Sequence, residues 1–157
     1  MPVPFGYSVS MKTLSPKMIG LAEARVLDVL GTRNIIRISG DDTDQRVLFI
    51  ETEFPPGAGI PLHVHTREDE VFHVLSGTVE FTLNGRATPA GAGVTVFGPR
   101  DVPHAYRAVG DGPARMLISV VPAGLEIMFA KLAALPPGAP DLAKVGEIVG
   151  SYGIRFV

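Results

Sequence analysis

Residues 57–77 read GAGIPLHVHTREDEVFHVLSG. His63 and His65 are two residues apart in a stretch that predicts an extended strand, and side chains at positions i and i+2 of a strand point to the same face. Both imidazoles can therefore reach one point in space. Glu70 opens the next predicted strand after a short polar turn, residues 66–69, so a hairpin return can bring its carboxylate beside the two rings.

A second stretch, residues 93–108, reads GVTVFGPRDVPHAYRA and offers a third imidazole. His104 opens a predicted strand, and Pro99 and Pro103 fix the approach of the chain to it. A lone His-x-His pair is weak evidence, because strands also carry such pairs for packing or solvation. Three imidazoles with one carboxylate form a set that suits Fe(II), Mn, Ni, Co, Cu or Zn better than Mg or Ca.

The remainder of the chain predicts a β domain. Its 18 Gly and 14 Pro separate short apolar runs, which is typical of a sandwich or closed barrel. Asn84-Gly85 is a strong hairpin signal. After Pro122 we expect a helix over residues 124–135, a second short helix capped by Asp141, and an extended segment over residues 153–157. The predicted strands are residues 34–39, 46–54, 60–65, 70–75, 78–83, 93–97, 104–109 and 114–121.

The spacing of the first stretch resembles the cupin family. The first cupin motif runs Gly, five residues, His-x-His, three or four residues, Glu, six residues, Gly. This sequence has Gly57, His63, His65, Glu70 and Gly77 at those intervals. The match covers every position of the motif.

The second stretch resembles the second cupin motif less completely. That motif runs Gly, five residues, Pro-x-Gly, two residues, His, three residues, Asn. Gly93, Pro99 and His104 fit, whereas Asp101 stands where Gly is usual and Ala108 where Asn is usual. Residues 20–157 also look like the small single-domain cupins described as quercetin dioxygenase-like.

The resemblance implies an all-β fold, a double-stranded β-helix (jelly-roll barrel) with a short C-terminal helical extension. We expect an N-terminal arm over residues 1–20, a barrel core over residues 21–122, and the extension over residues 123–157. The resemblance also implies a homodimer and one divalent transition metal per chain, with His63, His65, Glu70 and His104 as ligands and Glu70 as the catalytic base.

Strand parity suggests what surrounds these four residues. If Glu70 points inward, so does Phe72, and if His104 points inward, so does Tyr106, which makes Phe72 and Tyr106 candidates for a substrate pocket. His73 has the opposite parity and is expected to face away. Glu68 and Asp69 are expected to be solvated turn residues, and Arg100 is expected to pair with Asp101.

Composition narrows the classes of function. The formal net charge is -2 without a basic patch, so we expect no nucleic-acid partner. The absence of cysteine excludes thiolate ligands. Neither a signal-peptide pattern nor a membrane-length apolar run is present, so we expect a cytoplasmic protein without a membrane partner. The mean hydropathy of +0.28 is high for a small domain and favours a homo-oligomer.

Three hypotheses for function follow. The first is a metal-dependent dioxygenase or related oxidoreductase that acts on a small aromatic or enolisable molecule. The second is a non-catalytic barrel that binds a small ligand as a sensor or carrier. The third is a cupin isomerase or decarboxylase, because fold does not decide among these chemistries.

Overall fold

The structure, a computed structural model, describes residues 13–157, so residues 1–12 of the predicted N-terminal arm lie outside it. The described chain forms strands β1 (Arg25–Val29), β2 (Thr32–Ile38), β3 (Leu48–Phe54), β4 (Gly59–His65), β5 (Asp69–Ser76), β6 (Thr78–Leu83), β7 (Arg86–Gly91), β8 (Thr95–Gly98), β9 (His104–Val109), β10 (Ala114–Val121) and β11 (Ile154–Phe156). Its helices are α1 (Gly40–Thr43), α2 (Leu125–Ala133) and α3 (Leu142–Ser151).

The strands form two antiparallel sheets. One has the order β1-β2-β3-β10-β5-β8 and the other the order β11-β4-β9-β6-β7. Their inner faces share one hydrophobic core, in which Leu48, Ile50, Phe72 and Met116 have no exposed surface. The expected all-β barrel with small C-terminal helices is thereby confirmed.

Local sequence explains most of the elements. Asn84 and Gly85 have φ values of 50° and 73°, so both central residues of the β6–β7 turn are left-handed, as a type I′ hairpin requires. The Asp141 carboxylate accepts hydrogen bonds from the backbone N–H groups of Ala143 and Lys144, which confirms the predicted cap of α3.

Five strands differ clearly from the sequence prediction, since β3 and β8 each begin two residues later than the predicted strands at residues 46 and 93. β1 and β7 were not predicted, and β2 begins two residues earlier than the predicted strand at residue 34. β7 is an edge strand that pairs only with β6 among the described residues, which is where a proline such as Pro89 is tolerated. The β1–β2 turn places Leu30 and Gly31 at φ values of 49° and 84°, so it is another tight hairpin.

The C-terminal extension closes one end of the barrel. β11 pairs with β4, so that Ile154 lies opposite His65 and Phe156 opposite His63. The apolar faces of α2 and α3 cover the cavity between the sheets. The Glu126 carboxylate fixes the start of α2, because it accepts hydrogen bonds from the N–H groups of Gly40 (2.7 Å) and Gly124 (2.8 Å).

No helix among the described residues has both the length and the apolar character that crossing a bilayer demands.

Candidate metal centre

Four side chains from three strands converge inside the barrel. His63 and His65 project from the end of β4, Glu70 from the start of β5 and His104 from the start of β9. Each offers a ligand atom, and these atoms all lie within 4.8 Å of one another. All four residues are buried, with exposed fractions between 1% and 6%. The structure therefore brings together the whole set that the sequence predicted.

Each imidazole is oriented by an oxygen atom on its outer side. Nδ1 of His63 lies 2.9 Å from the carbonyl oxygen of Pro61, and Nδ1 of His104 lies 3.1 Å from that of Val102. Because a carbonyl oxygen can only accept, Nδ1 of each ring carries the proton and donates it. The Nε2 atoms therefore face the centre as potential metal donors, an arrangement that is usual for metal-binding histidines.

The third imidazole is oriented by a carboxylate that the sequence analysis had placed in solvent. Nδ1 of His65 lies 3.2 Å from Oε2 of Glu68. Glu68 is only 6% exposed, so the expectation of a solvated turn residue was wrong for it. The turn after β4 folds Glu68 back onto His65, three residues earlier. The sequence offered one indication of this contact, namely a carboxylate only three residues after a predicted ligand histidine.

Distances between the donor atoms fit a transition-metal ion. His63 Nε2 lies 3.1 Å from His65 Nε2, and Glu70 Oε2 lies 3.2 Å from His65 Nε2 and 2.9 Å from His104 Nε2. Two ligands at right angles, each about 2.1 Å from an ion, would be roughly 3.0 Å apart. Neutral imidazoles in these positions would point lone pairs at one another and at a carboxylate, and a central cation would remove that repulsion. The buried His/Glu group could thus bind one metal ion, whose identity this donor set does not select.

Burial and mutual contacts shift the pKa values of His63, Glu70 and His104 in different directions. Burial, together with the charge of His104, lowers the pKa of His63 to about 4, so this ring is neutral at pH 7. Burial raises the pKa of Glu70, but the hydrogen bond from His104 and the nearby imidazoles outweigh burial and hold the pKa below its usual value. Burial lowers the pKa of His104, whereas its bond to Glu70 raises it above the usual value on balance.

A small, partly open cavity adjoins the donor atoms. Its volume is about 70 Å³. The walls are mostly apolar, with side chains from both sheets and from α2 and α3. Tyr106 lines this cavity, and its ring lies 6.5 Å from that of His63. Phe72 instead packs in the core behind it, against the rings of His104, Phe81 and Tyr106.

The remaining polar residues near the motifs are outside the centre. His73 contacts Thr95, with Nδ1 2.8 Å from Oγ1, so it faces away from the centre as expected. Arg100 pairs with Asp69 at 2.7 Å, which corrects the expected pairing with Asp101. Asp101 adopts φ 63°, the left-handed conformation that would favour glycine, and its N–H donates to the carbonyl oxygen of His65. The turn before His104 is therefore kept despite the substitution.

Known proteins are similar to this jelly-roll barrel, which carries a buried group of three histidines and one glutamate. Residues 50–121 match the family model described as a cupin domain. Polyketide synthase CurC of Streptomyces cyaneus is 30% identical over 94 residues, which are 60% of this chain and 61% of that protein. The chain spans about three fifths of the length of the curated relatives that it matches.

Solved structures share the fold. KdgF from Halomonas sp. has a TM-score of 0.64 at 19% identity, over 72% of this chain and 99% of that one. The polyketide cyclase RemF from Streptomyces resistomycificus has a TM-score of 0.59 at 24% identity, over 68% of this chain and 80% of that one. The family match over residues 50–121 and the shared fold show that this barrel is similar to cupin domains.

Proposed function

We propose that this protein is a metal-dependent enzyme that acts on a small aromatic or enolisable molecule inside the barrel, and that the reaction is a dioxygenation. The observation that carries the proposal is the convergence of three imidazoles and the Glu70 carboxylate beside a mainly apolar cavity. Such a cavity suits an apolar small molecule whose one polar end reaches the metal.

His63, His65, Glu70 and His104 would hold the ion. A bound Fe, Mn, Ni or Cu ion would supply Lewis-acid activation of a substrate oxygen together with oxygen chemistry. Glu70, ionised at neutral pH, would accept a proton from a substrate hydroxyl or enolisable C–H group.

Two further features of the cavity support this chemistry. Burial raises the pKa of Tyr106 far above its usual value, so its hydroxyl stays protonated and acts as a hydrogen-bond donor that orients substrate. The apolar side chains of α2 and α3 exclude water from the reacting atoms.

Oxygen consumption tests the proposal. Protein loaded with Fe(II), Mn(II) or Ni(II) is mixed with a catechol, a flavonol or a 1,3-diketone in an oxygen electrode, and we expect uptake of one O₂ per substrate consumed. Glu70→Gln should reduce turnover more than it reduces metal content. The exposed pair Glu80–Arg107 supplies the control Glu80→Gln, which should change neither. Metal-loaded protein that binds these molecules without consuming oxygen would contradict the oxygenase.

A non-oxidative reaction is the second candidate, and the similarity to a polyketide synthase and a polyketide cyclase favours it. Here Glu70 would take a proton from an enolisable carbon and return it elsewhere, so product would form without oxygen. Product analysis under nitrogen separates the two activities. Ligand binding with no conversion under either gas would indicate a non-catalytic binding protein.

We also propose that the protein is a homodimer. Phe97 is 59% exposed and lies opposite Val71, 38% exposed, on the outer face of the six-stranded sheet. Covering this apolar pair by a second copy would remove it from water. Light scattering should give a dimer mass for the wild type and a monomer mass for Phe97→Glu, and a monomeric wild type would refute the assignment.

A further inference from the structure

A row of three hydrogen-bonded polar side chains, called the polar row below, interrupts the apolar wall of the cavity. Thr32 and Asn34 on β2 and Thr52 on β3 all line it, with exposed fractions of 6%, 4% and 2%. Asn34 lies directly opposite Thr52 in the sheet. On the same face of β3, Ile50 and Phe54 flank Thr52, so an apolar residue would fit the surrounding pattern at this position.

The hydrogen bonds within the polar row have a fixed direction. The Thr32 hydroxyl donates to the carbonyl oxygen of Val29 at 2.8 Å, so its oxygen is free to accept from the Asn34 amide nitrogen at 3.1 Å. That contact turns the Asn34 carbonyl oxygen towards Thr52, whose hydroxyl donates to it at 2.9 Å. A backbone carbonyl thus determines the orientation of all three side chains.

The fixed direction leaves acceptors rather than donors available to the cavity. The Thr52 hydroxyl donates its proton to Asn34, and within residues 13–157 its oxygen makes no other hydrogen bond to a protein group. Its lone pairs, and the second lone pair of the Asn34 carbonyl oxygen, can each accept a further hydrogen bond. A ligand group that suits this position is therefore a hydroxyl or an N–H, not a carboxylate.

The register of the strands places the polar row away from the metal-binding group. Glu70 lies opposite Val120, and Val120 lies opposite Leu48 on β3. Thr52 is four residues beyond Leu48 on the same strand, an offset of about 13 Å along the strand. One cavity therefore has the metal-binding group at one end and hydrogen-bond acceptors at the other, with apolar side chains between them.

We propose that Thr52 and Asn34 determine substrate specificity by accepting a hydrogen bond from a distal hydroxyl or N–H group of the substrate. The substrate is then bifunctional, with an oxygen-bearing end for the metal, an apolar middle and a distal donor. The small cavity limits it to about one ring with a short arm. This inference rests on the proposed function, because it takes the metal-binding group as the anchor of the substrate.

Binding of matched probe pairs to the Zn(II)-loaded protein tests the inference. The probes are 4-(ω-hydroxyalkyl)catechols with arms of two, three and four carbons, each compared with its methyl ether by anaerobic calorimetry. The alcohol can donate a hydrogen bond and the ether cannot. At the arm length that reaches Thr52, the alcohol should bind roughly two- to tenfold more tightly than the ether, as one hydrogen bond provides.

Variants assign that preference to Thr52. Thr52→Val should abolish the preference for the alcohol, and Thr52→Ser should retain it. The control Ile50→Val, on the same face of β3, should change the affinities for alcohol and ether by the same factor. Thermal unfolding and zinc content verify that each variant is folded and loaded.

The outcomes separate the two proposals. If the catechols bind but the wild type shows no preference for the alcohol at any arm length, the specificity role is refuted and the proposed function stands. That comparison needs no variant, so it holds even if Thr52→Val fails to fold. If no catechol binds the zinc-loaded wild type, the proposed function fails on its metal-anchored substrate, and the specificity role falls with it.

Discussion

Removal of the Glu68 carboxylate should weaken metal binding although Glu68 is not itself among the donor atoms. Its Oε2 lies 3.2 Å from Nδ1 of His65, and both side chains are buried, at 7% and 4% exposure. The contact holds the ring with Nε2 towards the centre and increases its basicity. Partners of this kind typically contribute 10- to 100-fold to metal affinity, or about 1.4–2.7 kcal/mol.

A competition titration with a colorimetric chelator measures the effect for Zn(II) or Co(II) at constant pH. We expect the affinity order wild type, Glu68→Gln, Glu68→Leu, because glutamine loses the charge but keeps a carbonyl that can accept from His65. Asp69→Asn is the matched control, since this neighbouring carboxylate faces Arg100 instead. Glu68→Leu protein that is folded and binds metal as tightly as the wild type would refute the orienting role.

Three further predictions concern the centre, a surface ion pair and the C-terminal strand. His104→Ala should lose most of its metal by mass spectrometry while a folded barrel is retained by circular dichroism; full metal content would show that the ion binds elsewhere. Hydrogen bonds from Lys17 and Ser39 lower the pKa of Asp42 from 3.8 to about 2, so the pair stabilises the fold above pH 4 and ceases to do so as pH falls through 2. Lys17→Ala should therefore cost at most about 1 kcal/mol at pH 7 and nothing below pH 2 in urea titrations, and a constant difference would contradict this. Gly153 has φ 80° and an added Cβ would collide with Thr66, so Gly153→Ala should destabilise the protein by about 1–3 kcal/mol; unchanged urea unfolding would show that the turn relaxes without strain.

The four donor residues could be predicted because their spacing is local. His63 and His65 share one strand, and Glu70 follows after a single turn. The expected hairpin was wrong, because β4 and β5 belong to different sheets. The turn instead crosses from one sheet to the other and brings Glu70 to the two rings across the interior of the barrel. His104 is distant in sequence, and only the resemblance of the second motif connected it to the others. In the structure, β9 pairs with β4 and places His104 opposite His63, which agrees with that prediction.

The environment of the four donor residues could not be predicted in the same way, because it depends on contacts between residues that are distant in sequence or on how a turn folds. Glu68 resembled a solvated turn residue because burial of a turn carboxylate depends on how the turn folds back onto its strand. The polar row that contains Asn34 and Thr52 forms only when β2 pairs with β3. The signal in the sequence was a threonine at an inward position between Ile50 and Phe54, which period-two parity would have identified.

The strand that carries two of the four donors has neighbours that are synthesised much later. His65 and Ile154, which lie opposite each other, are separated by 89 residues of chain. During synthesis the His-x-His pair and Glu70 therefore emerge first, His104 follows, and the covering segment is last. An ion that binds early meets two imidazoles and a carboxylate in open solvent, whereas one that binds late must pass a closed barrel. The identity of any metal that the site acquires would then depend on the order in which the protein folds as well as on the four side chains that could hold it.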